Sequence, residues 1–149
     1  MPGPTATARA NLAALLEPVW PGRVYPYWPQ IPRPVAGVYI GETSGGFDEN
    51  DVGVAAWAAT FKVRLVADGA DRAAAALLDD LADQVYRAVA RSDDFYPDAF
   101  AWEPVDVDAS TELPAYSFTV RVWLDVVSWC QTDPAEPVTI PPETIGATP

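Results

Sequence analysis

Residues 68–91 constrain the fold of this chain most, because their pattern predicts a long amphipathic helix. Apolar residues recur there at steps of three and four, which puts them on one side of a helix with 3.6 residues per turn. They are Ala74, Leu77, Leu78, Leu81, Val85 and Val89, and the charged residues opposite them are Asp79, Asp80, Asp83, Arg87 and Arg91. Asp68 is predicted to cap the first turn, and Asp71 suits the positive end of the helix dipole. A helix of about 30 Å needs an apolar surface of similar width to cover it.

Two long strands with alternating patterns, at residues 52–67 and 115–129, are predicted to supply that surface. Side chains alternate between the two sides of a strand, so each strand has one apolar face and one mixed face. The apolar faces carry Trp57, Ala59, Phe61, Val63 and Leu65 on the first strand and Tyr116, Phe118, Val120, Val122, Leu124 and Val126 on the second. The mixed faces carry Ala58, Thr60, Lys62, Arg64 and Val66, and then Ser117, Thr119, Arg121, Trp123 and Asp125.

Prolines and turn-forming residues divide the rest of the chain into shorter elements. A first helix is predicted from an N-cap at Thr5 to Glu17, with Leu12, Leu15 and Leu16 as its apolar patch. The other predicted elements are a short edge strand at 23–27, a strand at 35–40, an acidic loop at 41–51, a loop at 92–101, a short strand at 102–107 broken by Pro104, and a turn at 109–114.

This order of elements predicts one α+β domain over residues 1–130. Its sheet is expected to be largely antiparallel, with four to five strands and both helices on one face. Residues 131–149 are rich in proline, threonine and acidic residues, and they are predicted to form an extended tail.

Charge and composition limit the classes of function. The net charge is −12, with one lysine and no histidine. A protein that binds DNA neutralises phosphates with Lys and Arg, so this chain has the wrong sign of charge for DNA or for anionic membranes. The single Cys130 cannot form an internal disulfide, no apolar run is long enough to span a bilayer, and the N-terminal residues lack the profile of a secretion signal. We therefore expect synthesis in a reducing cytoplasm and no membrane partner.

The side-chain chemistry predicts no catalytic residue, no cofactor and no metal ion. Without histidine the chain lacks the usual general base, the usual zinc ligand and the Ser-His-Asp and Cys-His arrangements. Cys130 ends a strand with no base near it in sequence. The loop that starts at Asp48 begins like a calcium-binding loop, but Val52 and Ala59 stand where the third oxygen ligand and the closing glutamate belong.

The mixed sheet face is the candidate functional surface. It is predicted to carry a large aromatic residue among charges, a composition typical of interfaces. Its residues are Lys62, Arg64, Arg121, Trp123 and Asp125. Both helices are predicted to lie on the other face, so no helix remains to cover this one. We therefore predict that other copies of the chain cover it, as in a homo-oligomer.

The order of elements and one proline-rich motif resemble a known family. An opening LAALL helix, the segment GRVYPYWPQIPRPVAGVYIG, a long strand, the helix ADRAAAALLDDLADQVYRAV and a closing hairpin with a long strand resemble the tail terminator proteins of long-tailed bacteriophages, over residues 12–129. The resemblance implies an α+β structural protein of the virion with no active site, made in the cytoplasm of the bacterial host.

Further expectations follow from the resemblance alone. Such proteins form a ring, usually a hexamer, at the head–tail junction on top of the tail. The ring caps the tail tube, stops its polymerisation and joins it to the head–tail connector protein, while DNA passes through without specific binding. By analogy, the mixed sheet face meets the neighbouring protomer, and the acidic loop at 41–51 reaches the tube or the lumen. The loop residues concerned are Phe47, Asp48, Glu49 and Asp51.

Other interpretations stay open at this point. Another ring of the head–tail junction, such as a tail completion or head-closure protein, can share this size and charge. From a different class, a small binding domain could hold an apolar ligand on its aromatic-rich sheet face. An enzyme is the third alternative.

Overall fold

The structure is a computed structural model, and it describes residues 3–29, 35–47, 57–69, 72–108 and 110–124. In chain order these residues form α1 (Pro4–Leu16), β1 (Val24–Tyr25), β2 (Gly37–Phe47), β3 (Trp57–Val66), α2 (Arg72–Arg91), β4 (Phe95–Trp102), β5 (Val105–Asp106), β6 (Glu112–Leu113) and β7 (Ala115–Leu124). Five strands form one sheet in the order β1-β2-β3-β7-β4, and β5 and β6 form a separate two-stranded sheet. Only β1 runs parallel to its neighbour in the large sheet. The predicted α+β class with a largely antiparallel sheet is confirmed.

Both helices pack on the same face of the sheet, as predicted. Leu12 and Leu16 of α1 are fully buried, and so are the central residues of the apolar stripe of α2. They pack against the apolar faces of the strands, where Phe61 is the largest fully buried side chain. The prediction that Leu77 belongs to the buried stripe of α2 is wrong, because its side chain is exposed at the margin of the stripe. The spacing of apolar residues therefore predicts the centre of the buried helix face correctly and its margins less accurately.

The predicted helix caps at Thr5 and Asp68 are both wrong. Helix α1 begins at Pro4 after Gly3, because the fixed φ of proline suits the first helical position, and no side chain caps it. Helix α2 begins at Arg72, and the chain before it turns at Gly69, whose φ is +126°. That positive φ ends the preceding segment, so Asp68 lies ahead of the helix instead of at its cap. Asp71 lies outside the described residues.

Residues 41–47, predicted to begin a loop, instead continue β2. Strand β3 offers these residues a nearly complete ladder of backbone partners, and this pairing overrides their turn-like composition. The register shifts between Ile40 and Thr43, which marks a β-bulge. The guanidinium of Arg9, on α1, donates to the Ile40 carbonyl at 2.7 Å and to the Thr43 hydroxyl at 2.5 Å. The bulge is therefore fixed by a contact from another element.

Residues 92–101 were predicted as a loop, but most of them form the edge strand β4. This strand pairs with β7, and its register shifts between Pro97 and Ala99. Proline is accommodated there because an edge strand has ladder hydrogen bonds on one side only. The turn-like composition around Pro97 concealed the strand in the sequence.

Several predicted boundaries shift for related reasons. The short strand at 102–107 is split, since Trp102 ends β4 and only Val105–Asp106 forms β5. The turn at 109–114 includes β6, which pairs with β5. The edge strand at 23–27 shortens to β1, and the strand at 35–40 begins at Gly37. Residues 52–56 and 125–129 of the two long strands, and the tail at 131–149, lie outside the described residues.

Candidate subunit interface

The sheet face opposite the helices, called here the second face, carries the residues that the sequence singled out. Strands β3 and β7 lie side by side at the centre of the sheet, so their alternate side chains form rows across it. The paired residues on this face are Arg64 with Ser117, Lys62 with Thr119, Thr60 with Arg121, and Ala58 with Trp123. Lys62, Arg64, Arg121 and Trp123 therefore share one face, as predicted. Asp125 lies outside the described residues.

Two ion pairs order the centre of the second face. Lys62 Nζ lies 2.9 Å from Glu103 Oε1, and Arg64 Nη2 lies 3.0 Å from Glu42 Oε2. The hydrogen bond from Lys62 is the main cause that lowers the pKa of Glu103. Burial, the largest single influence on Glu42, raises its pKa, but the hydrogen bond and charge of Arg64 outweigh it and lower the pKa overall. Both carboxyl groups are thus held ionised beside their cations.

Arg64 is the most enclosed cation of the second face. Its guanidinium lies 4.6 Å from the ring centroid of Trp28, a cation–π contact. Gly41 makes room for it, since a Cβ at that position would stand 2.6 Å from Arg64 Nη1. Nη1 itself is buried without a hydrogen-bond partner among the described residues. Packing therefore fixes the Arg64 side chain, which makes it a supporting residue more than a contact surface.

One end of the second face is covered by the chain itself, which partly corrects the sequence prediction. A small apolar cluster forms there from Tyr39, Val66, Leu113 and Ala115, with Tyr25, Trp28, Val105 and Val107 packed against it. The cover comes from the β5–β6 hairpin and the segment near Trp28 instead of from a helix. The tyrosine ring of Tyr39 is stacked on that of Tyr25 at 4.8 Å, and burial raises the pKa of Tyr39 to about 12.

The other end of the second face remains open among the described residues. The guanidinium of Arg121 lies 4.9 Å from the ring centroid of Trp123, and Trp123 is 38% exposed. A half-exposed tryptophan stacked on arginine combines the two residue types most enriched at binding hot spots. This open end is the part of the face that can receive another molecule.

A groove of about 420 Å³ runs along the second face beside β4. Its lining combines hydroxyl-bearing, charged and apolar residues: Glu42, Thr43, Ser44, Thr60, Lys62, Ala99, Phe100, Ala101, Glu103, Ser117 and Thr119. Lys62 and Glu103 are paired with each other within it, and Glu42 is paired with Arg64 beside it. Among the described residues, no group of three acidic, Cys or His side chains could hold a metal ion.

Most of the second predicted site, the acidic loop, lies outside the described residues. Phe47 is the last residue of β2, and Asp48, Glu49 and Asp51 lie outside the described residues. The loop assignment to the tube or the lumen therefore stays a prediction.

Sequence reasoning missed two features of the sheet. Glu42 and Glu103 hold the central cations, yet nothing in the sequence relates residues that are 22 and 41 positions away from their partners. An exposed aromatic cluster on the helix side of β4 was also missed. The alternation of Phe100 and Trp102 was its signal, but the loop assignment hid it.

No protein-family model matches this chain, and a search of curated proteins finds no match. Among solved structures, the chain is similar to a component of a structure described as the virion of a native gene transfer agent particle. The TM-score is 0.51 and the sequence identity 17%, and the match covers 79% of this chain and 90% of that chain. At this identity the likeness shows a shared fold. Within the described part of the chain, no helix combines the length and the apolar character needed to cross a membrane.

Proposed function

We propose that this chain is a structural protein of a phage-like virion, and more specifically a tail terminator. In this role copies of the chain close into a ring, a hexamer by analogy with the family, at the head–tail junction. The ring caps the tail tube, stops its polymerisation and joins it to the head–tail connector.

The open end of the second face is the observation that carries this proposal. Arg121 and Trp123 form a cation–π contact there, and Trp123 is 38% exposed. Tryptophan and arginine are the residue types most enriched at binding hot spots, so we infer that a partner covers this end of the face. A ring supplies the partner to every copy, since each protomer covers the next.

The fold supports a virion component. A chain from the virion of a gene transfer agent, a phage-like particle, shares this α+β arrangement over most of its own length. The sequence motifs that resemble the tail terminators extend from α1 to β7, with residues 30–34 of the proline-rich motif outside the described residues. The finer role as terminator rests on those motifs and on the interface argument.

The charge of the chain suits a conduit for DNA. With a net charge of −12, a ring of these chains repels phosphate, so DNA slides past without binding. An acidic loop around Asp48, Glu49 and Asp51 fits a position at the lumen or the tube. We propose no enzymatic role, because Lys62 and Arg64 at the centre of the candidate site are engaged in ion pairs with Glu103 and Glu42.

Deletion of the gene in a phage that carries it tests this function. A missing tail terminator leaves overlong tails without attached heads, and electron microscopy of lysates measures tail length directly. Heads that lose their DNA while tails keep their normal length would contradict the terminator role and favour a head-closure protein. Plasmid-borne wild-type gene restores normal tails if the proposal is correct, and the Arg121→Glu gene does not.

A further inference from the structure

The outer edge of strand β4 has no strand partner among the described residues. Strand β4 is the last strand of the large sheet and pairs there with β7 on one side. The Glu103 amide donates to the Ala115 carbonyl at 2.9 Å, so Glu103 faces β7. Because the backbone groups of an antiparallel strand point alternately to its two sides, Ala101 also faces β7, while the amides and carbonyls of Phe100 and Trp102 point outward. These outward groups are a template for a further strand.

This open edge is short, because both of its ends are blocked. On one side the register of β4 shifts between Pro97 and Ala99, which disrupts the ladder. On the other side Pro104 follows, and proline has no amide to donate. Residues 99–102 lie between the two blocks, where all of them are exposed and none is charged. A partner strand of about three residues therefore fits this edge.

The side chains along the open edge alternate in character. Phe100 and Trp102 lie on the helix side, where they are 54% and 48% exposed and their rings contact that of Tyr116. Ala101 lies on the second face, where Ser117 contributes a hydroxyl group to the lining of the groove. A strand that complements this edge therefore has two apolar side chains for the aromatic side and a small polar one between them.

The chain carries a segment with this pattern in residues 131–149, which lie outside the described residues. Val138, Thr139 and Ile140 are the one run of three β-branched residues in this part of the sequence, and prolines stand directly before and after it. Residues of this type favour extended strands. In a strand, Val138 and Ile140 point to one side and Thr139 to the other. The segment therefore matches the open edge in length, in alternation and in the chemistry of its two sides.

The point of attachment brings this segment within reach of the edge. Strand β7 ends at Leu124, and Tyr116, the partner of Trp102, lies eight residues earlier, or about 27 Å along β7. The 13 residues from 125 to 137 reach about 45 Å when extended. They can therefore reach the open edge of the same chain, provided that the chain turns back after Leu124 instead of continuing as a strand to 129.

We propose that residues 138–140 add to the outer edge of β4 of the same chain, as an antiparallel sixth strand of the large sheet. The outward backbone groups of Phe100 bond to those of Ile140, and the outward groups of Trp102 bond to those of Val138. The two aliphatic side chains then cover the exposed aromatic rings. This contact does not depend on the proposed ring, so the inference goes beyond the proposed function.

The antiparallel direction accommodates the two flanking prolines. In this register Val138 and Ile140 turn their backbone groups towards β4, and positions 137, 139 and 141 turn theirs away. Proline is tolerated where its missing amide faces away from the ladder, and it blunts the new edge against further pairing. In a parallel strand Pro141 would face β4 and leave the outward carbonyl of Trp102 unpaired.

Amide hydrogen exchange, followed by NMR on the full chain, tests the proposal. The test variant, Val138→Ser with Ile140→Ser, replaces the two apolar side chains of the segment. The control variant, Thr144→Ser with Ile145→Ser, makes a similar change outside the proposed strand. Neither variant changes a residue of the described fold.

The Phe100 and Trp102 amides are the readout. We expect both to be protected in the wild type and in the control, and to exchange about tenfold faster or more in the test variant. The Ala101 amide faces β7, so it should stay protected in all three proteins, which shows that the sheet is intact. Phe100 and Trp102 amides that exchange as fast as unpaired backbone in the wild type would overturn the proposal. Equal protection in the test variant would also overturn it, because a different partner would then cover the edge.

A disulfide tests whether the strand comes from the same chain. Ala101→Cys with Thr139→Cys, made together with Cys130→Ser, places two thiols on residues that are directly opposite, with Cα atoms about 4.5 Å apart, a distance that a disulfide spans. Oxidation of the dilute protein should link them within one chain, and the control, Ala101→Cys with Thr144→Cys, should stay unlinked. Links between chains, or no link, would overturn the proposal. None of these results decides whether the ring forms, which the Arg121→Glu variant tests separately.

Discussion

Replacement of Arg9 by methionine should destabilise the protein strongly, although Arg9 lies far from the candidate interface. Its guanidinium donates to the carbonyl oxygens of Pro26 and Ile40, each at 2.7 Å, and to the Thr43 hydroxyl. It also lies 4.6 Å from the ring centroid of Tyr27 and 5.3 Å from that of Phe61. One side chain thus joins α1 to the bulge of β2 and to the segment after β1.

The structure gives the magnitude of this effect. A hydrogen bond from a charged group contributes about 1.5–3 kcal/mol, and the bonds to Ile40 and Thr43 are the part-buried ones. The bond to Pro26 is exposed, so water replaces it at little loss. Because Arg9 is only part-buried, each of these two bonds is placed at the lower end of that range, about 1.5 kcal/mol, and the cation–π contacts add about 0.5–1 kcal/mol. The expected loss in the free energy of unfolding is therefore about 3–4 kcal/mol. Methionine keeps the apolar packing of the stem, so the change isolates the guanidinium.

Urea denaturation followed by circular dichroism measures the effect. A loss of this size lowers the urea midpoint by about 1.5–2 M if the slope is about 2 kcal/mol/M. Arg23→Met is the matched control. The exposed Arg23 guanidinium donates to the Ala36 carbonyl at 3.0 Å and lies 6.0 Å from the ring centroid of Trp20, and its loss should lower the free energy of unfolding by less than about 1 kcal/mol. A midpoint for Arg9→Met equal to that of Arg23→Met would refute the assignment of Arg9 as the link between these elements.

Three further predictions test other contacts. Gly37→Ala should detach β1 and lower the urea midpoint, because a Cβ there would stand 2.7 Å from the Arg23 carbonyl oxygen. The comparison variant is Gly22→Ala, whose Cβ would contact nothing within 4 Å; it measures the cost of placing alanine at a positive φ of 75° without a clash. Burial raises the pKa of Tyr39 from the ordinary 10.0 to about 12, so its contribution to the free energy of unfolding is fully present below pH 10 and is lost as the pH rises towards 12. Tyr39→Phe should flatten this alkaline loss of stability, and an unchanged curve would contradict the burial of the hydroxyl. The pKa values of Glu42 and Glu103 are lowered in the folded chain, so their ionised forms stabilise the fold above pH 4.5, and this contribution is lost as the pH falls through the folded pKa values. The double variant Glu42→Gln with Glu103→Gln should therefore lose less of its free energy of unfolding between neutral and acid pH than the wild type does. Equal losses would count against the two ion pairs.

The long periodic elements were the predictable part of this fold. Helix α2 and strands β3 and β7 bury one side each, so the period of their apolar residues carries the information directly, and the second face followed from it. The same reasoning placed Lys62 and Arg121 on one face without any knowledge of the topology.

The rest depends on contacts between distant parts of the chain. Residues 41–47 become strand because β3 and Arg9 hold them, although their composition indicates a turn. Strand β4 contains Pro97, which only an edge position tolerates, and the sequence does not say which strand lies at the edge. The cover at one end of the second face and the partners of Lys62 and Arg64 are equally nonlocal. Local propensity cannot supply such information.

The central claim is that the open end of the second face is covered by another copy of the chain. Native mass spectrometry of the wild type, of Arg121→Glu and of Arg91→Glu tests it directly, since the two variants carry the same charge change and Arg91 is exposed at the end of α2. We predict a closed ring of several 16.0 kDa chains for the wild type and for Arg91→Glu, and monomers for Arg121→Glu. Rings of equal stability in all three proteins would contradict the claim.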